Sequence, residues 1–187
     1  AEPINLSSFT MSPHVGTHAD APLHVEGRFV REEQLSQPKE REASLAPYLG
    51  RAQVIDLTRN GQNDYSRPIT ADVLAPYFLE VERVLIRTRA HVRYDVFELN
   101  YASLDPACVD FLAQQGVCLV GLDTPSMDTV QSKDLPVHHA LIRQNIRWLE
   151  NLDLTQAEPR ADYMLSALPL KFTDLEASPV RAVLFRY

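Results

Sequence analysis

The sequence is poor in cysteine: only Cys108 and Cys118 occur among its 187 residues, ten positions apart. This spacing argues against both a disulfide-rich scaffold and a cysteine-ligated zinc cluster. We expect both side chains to be reduced thiols in or near a core, and we therefore predict a cytoplasmic protein.

Basic runs and long apolar runs are also absent. The chain has 18 basic and 25 acidic residues and a formal charge of −7. No stripe of Lys or Arg occurs, so we predict no nucleic-acid partner. No apolar stretch approaches the length of a membrane span, so we predict no membrane association. The opening segment, AEPINLSSFT, has neither the basic start nor the apolar centre of a signal peptide.

Three common glycine-containing motifs of enzymes are missing as well. None of the six glycines forms the G-x-S-x-G turn of a serine hydrolase. None forms a G-x-G-x-x-G segment or a P-loop, so the sequence does not indicate a nucleotide cofactor. Apolar residues make up 45% of the chain and charged residues 23%, which is ordinary for one globular domain spanning residues 1–187.

Predicted strands and helices alternate along the chain. Buried strands are expected at 52–57, 83–88 and 117–124, and further strands at 4–10, 162–170 and 179–187. A helix is predicted from Asp105, through Pro106 at its first position, to Gly116. Another is predicted after Pro136, Thr70 is a candidate helix N-cap, and the charged segment 28–47 is expected to be a surface loop. This order predicts an α/β or mixed fold with a partly parallel sheet.

Half of the six histidines lie in one segment, HVGTHADAPLH, residues 14–24. The glycine and prolines in and around this segment argue against a regular helix, so we expect an extended or looped chain. In an extended chain His18, Asp20 and His24 share one side, and His14 joins them if Gly16 turns the backbone. Imidazole and carboxylate donors together suit zinc, manganese or iron(II), which predicts a metal site.

Further ligands have to come from other parts of the chain. One of the adjacent histidines, His138 or His139, could face the site while the other points away. Glu150 could join it only if the helix ended near Asn145 and the segment IRWLE returned as a strand, because an unbroken helix would separate His138 from Glu150 by roughly 18 Å. Otherwise Glu150 is a surface residue in a salt bridge, and His91, flanked by arginines, is expected at the surface.

HVGTHADAPLH resembles the His-x-Gly-Thr-His-x-Asp-x-Pro-x-His motif of the cyclase family of metal-dependent hydrolases. Within that family, the stretches GVCLVGLDTPSMD, HHALIRQNIRWLE and LPLKFTDLEASPVRAVL most resemble bacterial kynurenine formamidases, also called arylformamidases. The resemblance implies a cyclase-like β/β/α fold with a mixed sheet. It also implies a small-molecule substrate, N-formyl-L-kynurenine, hydrolysed to formate and L-kynurenine in tryptophan degradation, and a homodimer or larger homo-oligomer.

The resemblance also implies a role for each site residue. His14, His18 and Asp20 would bind one metal, with Asp20 bridging to a second metal completed by His138 and Glu150. Two Zn²⁺ per chain are expected, with Mn²⁺ as the alternative. His24 would be the general acid and base, since the activated water needs a group that takes its proton and passes it to the leaving nitrogen. Thr17 and Ser12 could orient ligands or serve as ordinary turn residues, and the same choice stays open for Asp123 and Ser126.

Two departures from the family pattern leave the substrate open. The family pattern has some thirty residues before residue 1, including a first strand and an aromatic substrate contact, and the segment after His24 is longer and more charged than that pattern. One alternative is therefore another cyclase-family hydrolase, acting on isatin or a related cyclic amide or lactone. A second is a non-catalytic metal-binding module, which an accessible, uncoordinated His24 would argue against.

Overall fold

A computed structural model describes residues 4–26, 44–58, 67–77, 81–172 and 174–186. The described part contains eight strands: β1 (His18–Asp20), β2 (Leu49–Asp56), β3 (Arg83–Arg87), β4 (Leu119–Leu122), β5 (Arg147–Glu150), β6 (Arg160–Ser166), β7 (Ala177–Pro179) and β8 (Val183–Phe185). Its helices are α1 (Leu23–Glu26), α2 (Ala71–Leu74), α3 (Pro106–Gln114) and α4 (Pro136–Arg143), with a 3₁₀ turn at Ala46–Tyr48. The predicted loop 28–47 lies outside the described residues except for its last four positions.

The strands form one sheet in the order β7-β1-β5-β4-β3-β2-β6-β8. The four central strands run parallel, and two antiparallel strands flank them on each side. The predicted mixed, partly parallel sheet is thereby confirmed. None of the described helices combines the length and apolar character that crossing a bilayer requires.

The central strands are buried on both faces. Successive residues of β3 alternate between two apolar clusters, with Val84 and Ile86 in the cluster beneath α3 and α4 and Leu85 in the cluster on the other face. A parallel strand covered on both faces needs apolar residues at nearly every position. This requirement explains why VLI and LVGL occur as continuous apolar runs rather than alternating ones.

Helix boundaries follow the local signals closely. Asp105 caps α3, its side chain accepting the N–H of Ala107 at 2.8 Å, and Gly116 adopts a φ of 78° just beyond the helix. At the end of α4, Asn145 takes a φ of 54°, and the N–H of Ile146 donates to the carbonyl of Leu141. The chain therefore reverses at Asn145 and enters β5, which is the break needed to bring Glu150 back towards His138.

The strand expected at residues 4–10 is wrong. This segment forms no ladder in the described structure, and the side chains of Ile4, Leu6 and Phe9 are exposed. Apolar and polar residues alternate there, but alternation predicts a strand only where a partner strand supplies backbone hydrogen bonds, and the described chain supplies none.

Helix capping gives a stability test with a matched control. Asp105→Ala should lower the free energy of unfolding by about 0.5–2 kcal/mol, because an N–H at the start of α3 loses its acceptor. Thr70→Ala should change it much less, since Thr70 is the N-cap of α2 but its side chain makes no capping hydrogen bond. Urea denaturation measures both, and equal effects of the two substitutions would contradict this account.

Candidate metal centre

Strand pairing brings two distant segments of the sequence together. β1 runs antiparallel to β5, and His18 is directly opposite Glu150. Residues directly opposite each other point to the same face of a sheet, as do residues two apart in a strand, so Asp20 joins them. The Nε2 of His18 lies 3.2 Å from Glu150 Oε2 and 3.3 Å from Asp20 Oδ1.

A glycine turn adds His14 to this face. Gly16 has a φ of 72°, a conformation that glycine adopts at little cost, and it folds the chain back before β1. His14 Nδ1 then lies 3.2 Å from Asp20 Oδ1. The carbonyl of Gly16 accepts the Nδ1–H of His18 at 2.9 Å, so Nε2 is the nitrogen that faces the carboxylates and that carries the lone pair when the imidazole is neutral.

Helix α4 supplies the fifth donor. His138 is buried, with Nε2 3.2 Å from Glu150 Oε1 and 3.8 Å from Asp20 Oδ2. Its neighbour His139 is exposed, so of the two adjacent histidines His138 is the one that faces the site. The Nδ1–H of His138 donates to Asp128 Oδ2 at 2.6 Å, which again leaves Nε2 directed inward.

These donors form two groups that share one residue. His14, His18 and Asp20 make up the first group, and Asp20, His138 and Glu150 the second. In each group one ligand atom from every residue lies within 4.8 Å of the others, a spacing at which a single ion could contact all three. The five residues proposed from the sequence as metal ligands therefore lie together, with Asp20 between the two groups.

Unpaired polar atoms test whether a metal fits here. When His18 is neutral, its Nε2 and Asp20 Oδ1 face each other at 3.3 Å as two acceptors; both atoms are buried, and neither has a hydrogen-bond partner in the described structure. A buried polar atom without a partner costs about 1–3 kcal/mol, so such atoms are rare unless something else satisfies them. A divalent cation would satisfy both atoms, and nitrogen and oxygen donors of this kind suit zinc or manganese.

The titration of the histidines reflects the surrounding carboxylates. Burial by itself lowers the pKa of His18, but Asp20 and Glu150 outweigh it and raise the pKa to about 10. Burial also opposes protonation of His138, whose pKa is nevertheless raised to about 9 by Asp128 and Glu150. Burial by itself raises the pKa of Asp20, but His14 and His18 have the larger combined effect and bring the pKa well below its usual range. Asp20 is therefore ionised.

His24 lies beside the donors without belonging to either group. We expected His24 on an extended or looped chain, but it reaches the site from α1, because Pro22 starts a helical turn there. Its Nε2 lies 3.9 Å from Asp20 Oδ2, and its ring centroid is 4.4 Å from that of His14. Burial lowers the pKa of His24 below 6.5, and 31% of its side chain is exposed. A neutral, accessible imidazole at this position can accept a proton.

Three supporting residues were missed by the sequence analysis. Trp148 donates its indole N–H to Asp20 Oδ2 at 3.1 Å, Asp128 holds His138, and Glu176 lies 3.4 Å from His14. Asp128 also accepts the N–H groups of Val137 and His138, so it caps α4 while it fixes the imidazole. Its place in LDTPSMD, shortly before the helix, was the one available signal.

Other polar residues singled out from the sequence have structural roles in this chain. Asp123 accepts hydrogen bonds from the backbone and hydroxyl of Thr88 and from the backbone of Arg89, which ties β4 to the end of β3. The hydroxyl of Thr17 donates to the carbonyl of Asn151 at 2.6 Å and holds the start of β1 against the end of β5. His91 is exposed, as expected.

The sheet and the donors together define the class of protein. It is an α/β protein with two groups of His and carboxylate side chains, each suited to a metal ion. The family model named Cyclase matches residues 2–129, and the chain belongs to that family. A kynurenine formamidase of Bordetella avium is 42% identical over 183 residues, which are 97% of this chain and 81% of that protein.

Solved structures share the fold. A Bacillus stearothermophilus protein described as a predicted metal-dependent hydrolase is 26% identical, with a TM-score of 0.75 over 98% of this chain and 82% of that one. Isatin hydrolase A from Labrenzia aggregata is 24% identical, with a TM-score of 0.76 over 94% of this chain and 74% of that one. At that identity the second likeness supports the cyclase fold alone.

Metal uptake by the metal-free chain should release protons. With pKa values of about 10 and 9, His18 and His138 are both positively charged imidazolium ions at pH 7.5. A metal binds only the neutral imidazole, so each must lose a proton first. Zn²⁺ affinity should therefore fall as the pH falls, by about tenfold per pH unit for each proton displaced. Calorimetry in two buffers of different ionisation enthalpy measures the release, and a binding heat that is independent of buffer would contradict it.

Proposed function

We propose that this chain is a metal-dependent amide hydrolase that converts N-formyl-L-kynurenine to formate and L-kynurenine in tryptophan degradation. The observation that carries this proposal is that His14, His18, His24, His138 and Glu150 converge on Asp20, in a chain 42% identical to a kynurenine formamidase over nearly its whole length. Both the substrate and the reaction are inferred from the name of that relative and from the motif resemblance. The geometry supplies the groups that such a reaction needs.

The proposed metal ligands follow the two donor groups. His14, His18 and Asp20 would hold one ion, Asp20, His138 and Glu150 would hold a second, and Asp20 would bridge the two. We propose two Zn²⁺ per chain, with Mn²⁺ as the alternative. Burial of His18, Asp20, His138 and Glu150 supports this assignment, because buried charged groups require compensating charge.

When bound, zinc at such a site lowers the pKa of a coordinated water towards neutrality and polarises a carbonyl oxygen. The chain's own residues hold the ligands in position and transfer the protons. Trp148 holds Asp20 through its indole N–H, and Asp128 holds the ring of His138. His24 would take a proton from the attacking water at Nε2 and return one to the leaving aniline nitrogen, so that water and formamide become formate and free amine.

The accessibility of His24 argues against a non-catalytic metal-binding module. A purely structural site has no need for a further imidazole with a lowered pKa and nearly a third of its side chain exposed. Assembly as a homodimer or larger homo-oligomer and a cytoplasmic location remain predictions from the sequence.

Chelation tests the function directly. We expect purified protein to lose N-formyl-L-kynurenine turnover when treated with a chelator and to recover it when Zn²⁺ or Mn²⁺ is added back, with about two ions per chain in the active form. Isatin serves as the competing substrate in the same assay. Ring opening of isatin without formamide cleavage would replace the proposed substrate, and chelator-resistant turnover would refute the mechanism.

Substitution of His24 should separate catalysis from metal binding. His24→Gln should lower kcat roughly 10²–10⁴-fold while bound metal per chain stays unchanged, because His24 belongs to neither donor group. In the unsubstituted protein, activity should fall as the pH drops through the lowered pKa of His24. His139→Gln is the matched control, since that histidine is exposed on α4. Equal activity of the two variants would rule out a catalytic role for His24.

A further inference from the structure

The two ring nitrogens of His14 face two different carboxylates. Nδ1 lies 3.2 Å from Asp20 Oδ1, and Nε2 lies 3.4 Å from Glu176 Oε1. A neutral imidazole carries one N–H and one lone pair, so only one of these nitrogens can bind a metal. The residue that accepts the N–H decides which nitrogen that is.

In the other two histidines of the donor groups, one ring nitrogen likewise donates to an acceptor and the other faces the carboxylates, but the two nitrogens are exchanged relative to His14. His18 and His138 each donate Nδ1–H to an acceptor outside the donor groups, namely the Gly16 carbonyl and the Asp128 carboxylate. Their Nε2 atoms face inward. His14 turns Nδ1 inward, and the acceptor beside its outward nitrogen is Glu176.

The backbone places Glu176 next to this ring independently of its side chain. Asp20 pairs with Ala177 across β1 and β7, and the N–H of Ala21 donates to the Glu176 carbonyl at 2.8 Å. The Glu176 side chain is 41% exposed. Replacing this side chain therefore leaves the strand pairing intact and should not unfold the protein.

We propose that Glu176 is a positioning residue for the metal site of His14, His18 and Asp20: it accepts the Nε2–H of His14 and thereby commits Nδ1 to the metal. This inference rests on the proposed two-metal site. Carboxylates that orient metal-bound histidines in this way typically contribute 10–100-fold to metal affinity. Glu176 acts on one of the two sites only, because its contact is with His14 and not with His138 or Glu150.

The test is a Co²⁺ titration of the metal-free full chain, followed by absorption and calorimetry with no substrate present. His14→Ala and His138→Ala identify which binding step belongs to which site. Glu176→Leu should weaken the His14-dependent step by about 10–100-fold and leave the His138-dependent step unchanged. Glu176→Gln keeps an acceptor oxygen and should lose less. Asp174→Leu removes an exposed carboxylate two residues away and should change neither step.

Three results would overturn the proposal. If Glu176→Leu binds Co²⁺ like Asp174→Leu, Glu176 does not position His14. If Glu176→Gln abolishes the step as completely as His14→Ala does, Glu176 is itself a ligand. If the unsubstituted chain binds a single equivalent, the two-site arrangement is wrong. Failure to hydrolyse N-formyl-L-kynurenine would refute the proposed function instead and would leave the metal-binding result standing.

Discussion

The buried carboxylate of Asp20 is the constraint around which the site is organised. One oxygen faces His14 and His18, and the other accepts the indole N–H of Trp148 and faces His138 and His24. An ionised carboxylate inside a protein is costly unless positive charge and hydrogen-bond donors surround it. Strands β1 and β5, helices α1 and α4 and the turn before β1 supply these groups, so the position of each depends on this one side chain.

The sheet makes that convergence possible. β1 is short, yet it lies between β5 and β7 and is antiparallel to both, so His18 meets Glu150 on one side while Glu176 lies near Asp20 on the other. The parallel core of β2 to β5 directs the ends of its strands to a common edge, and Glu150 closes β5 at that edge. A rigid sheet buried on both faces thus holds ligands that are distant in sequence at fixed spacing.

Local sequence signals predicted the elements that depend on neighbouring residues. The start of α3 at Asp105 and the continuous apolar runs of β3 and β4 follow from a cap and from burial on both faces, whereas the sequence offered the reversal at Asn145 only as one of two possibilities. The strand expected at 4–10 was wrong, because a strand depends on a distant partner that alternation does not reveal. His24 was expected on an extended segment, whereas the turn at Pro22 places it on a short helix.

The sequence by itself determined which donor side chains are present. It places imidazoles and a carboxylate in one segment with a glycine turn and two adjacent histidines further along, and a family resemblance assigned roles to them. The resemblance implied His138 and Glu150 as ligands. Only the tertiary structure decided that His138 is buried and His139 exposed, that Glu150 lies opposite His18, and that Asp128, Trp148 and Glu176 contact the donors. The reason is physical. Donor identity is a property of each residue, but donor spacing depends on strand register between segments more than a hundred residues apart, and tautomer depends on the acceptor that the fold places beside each outward ring nitrogen.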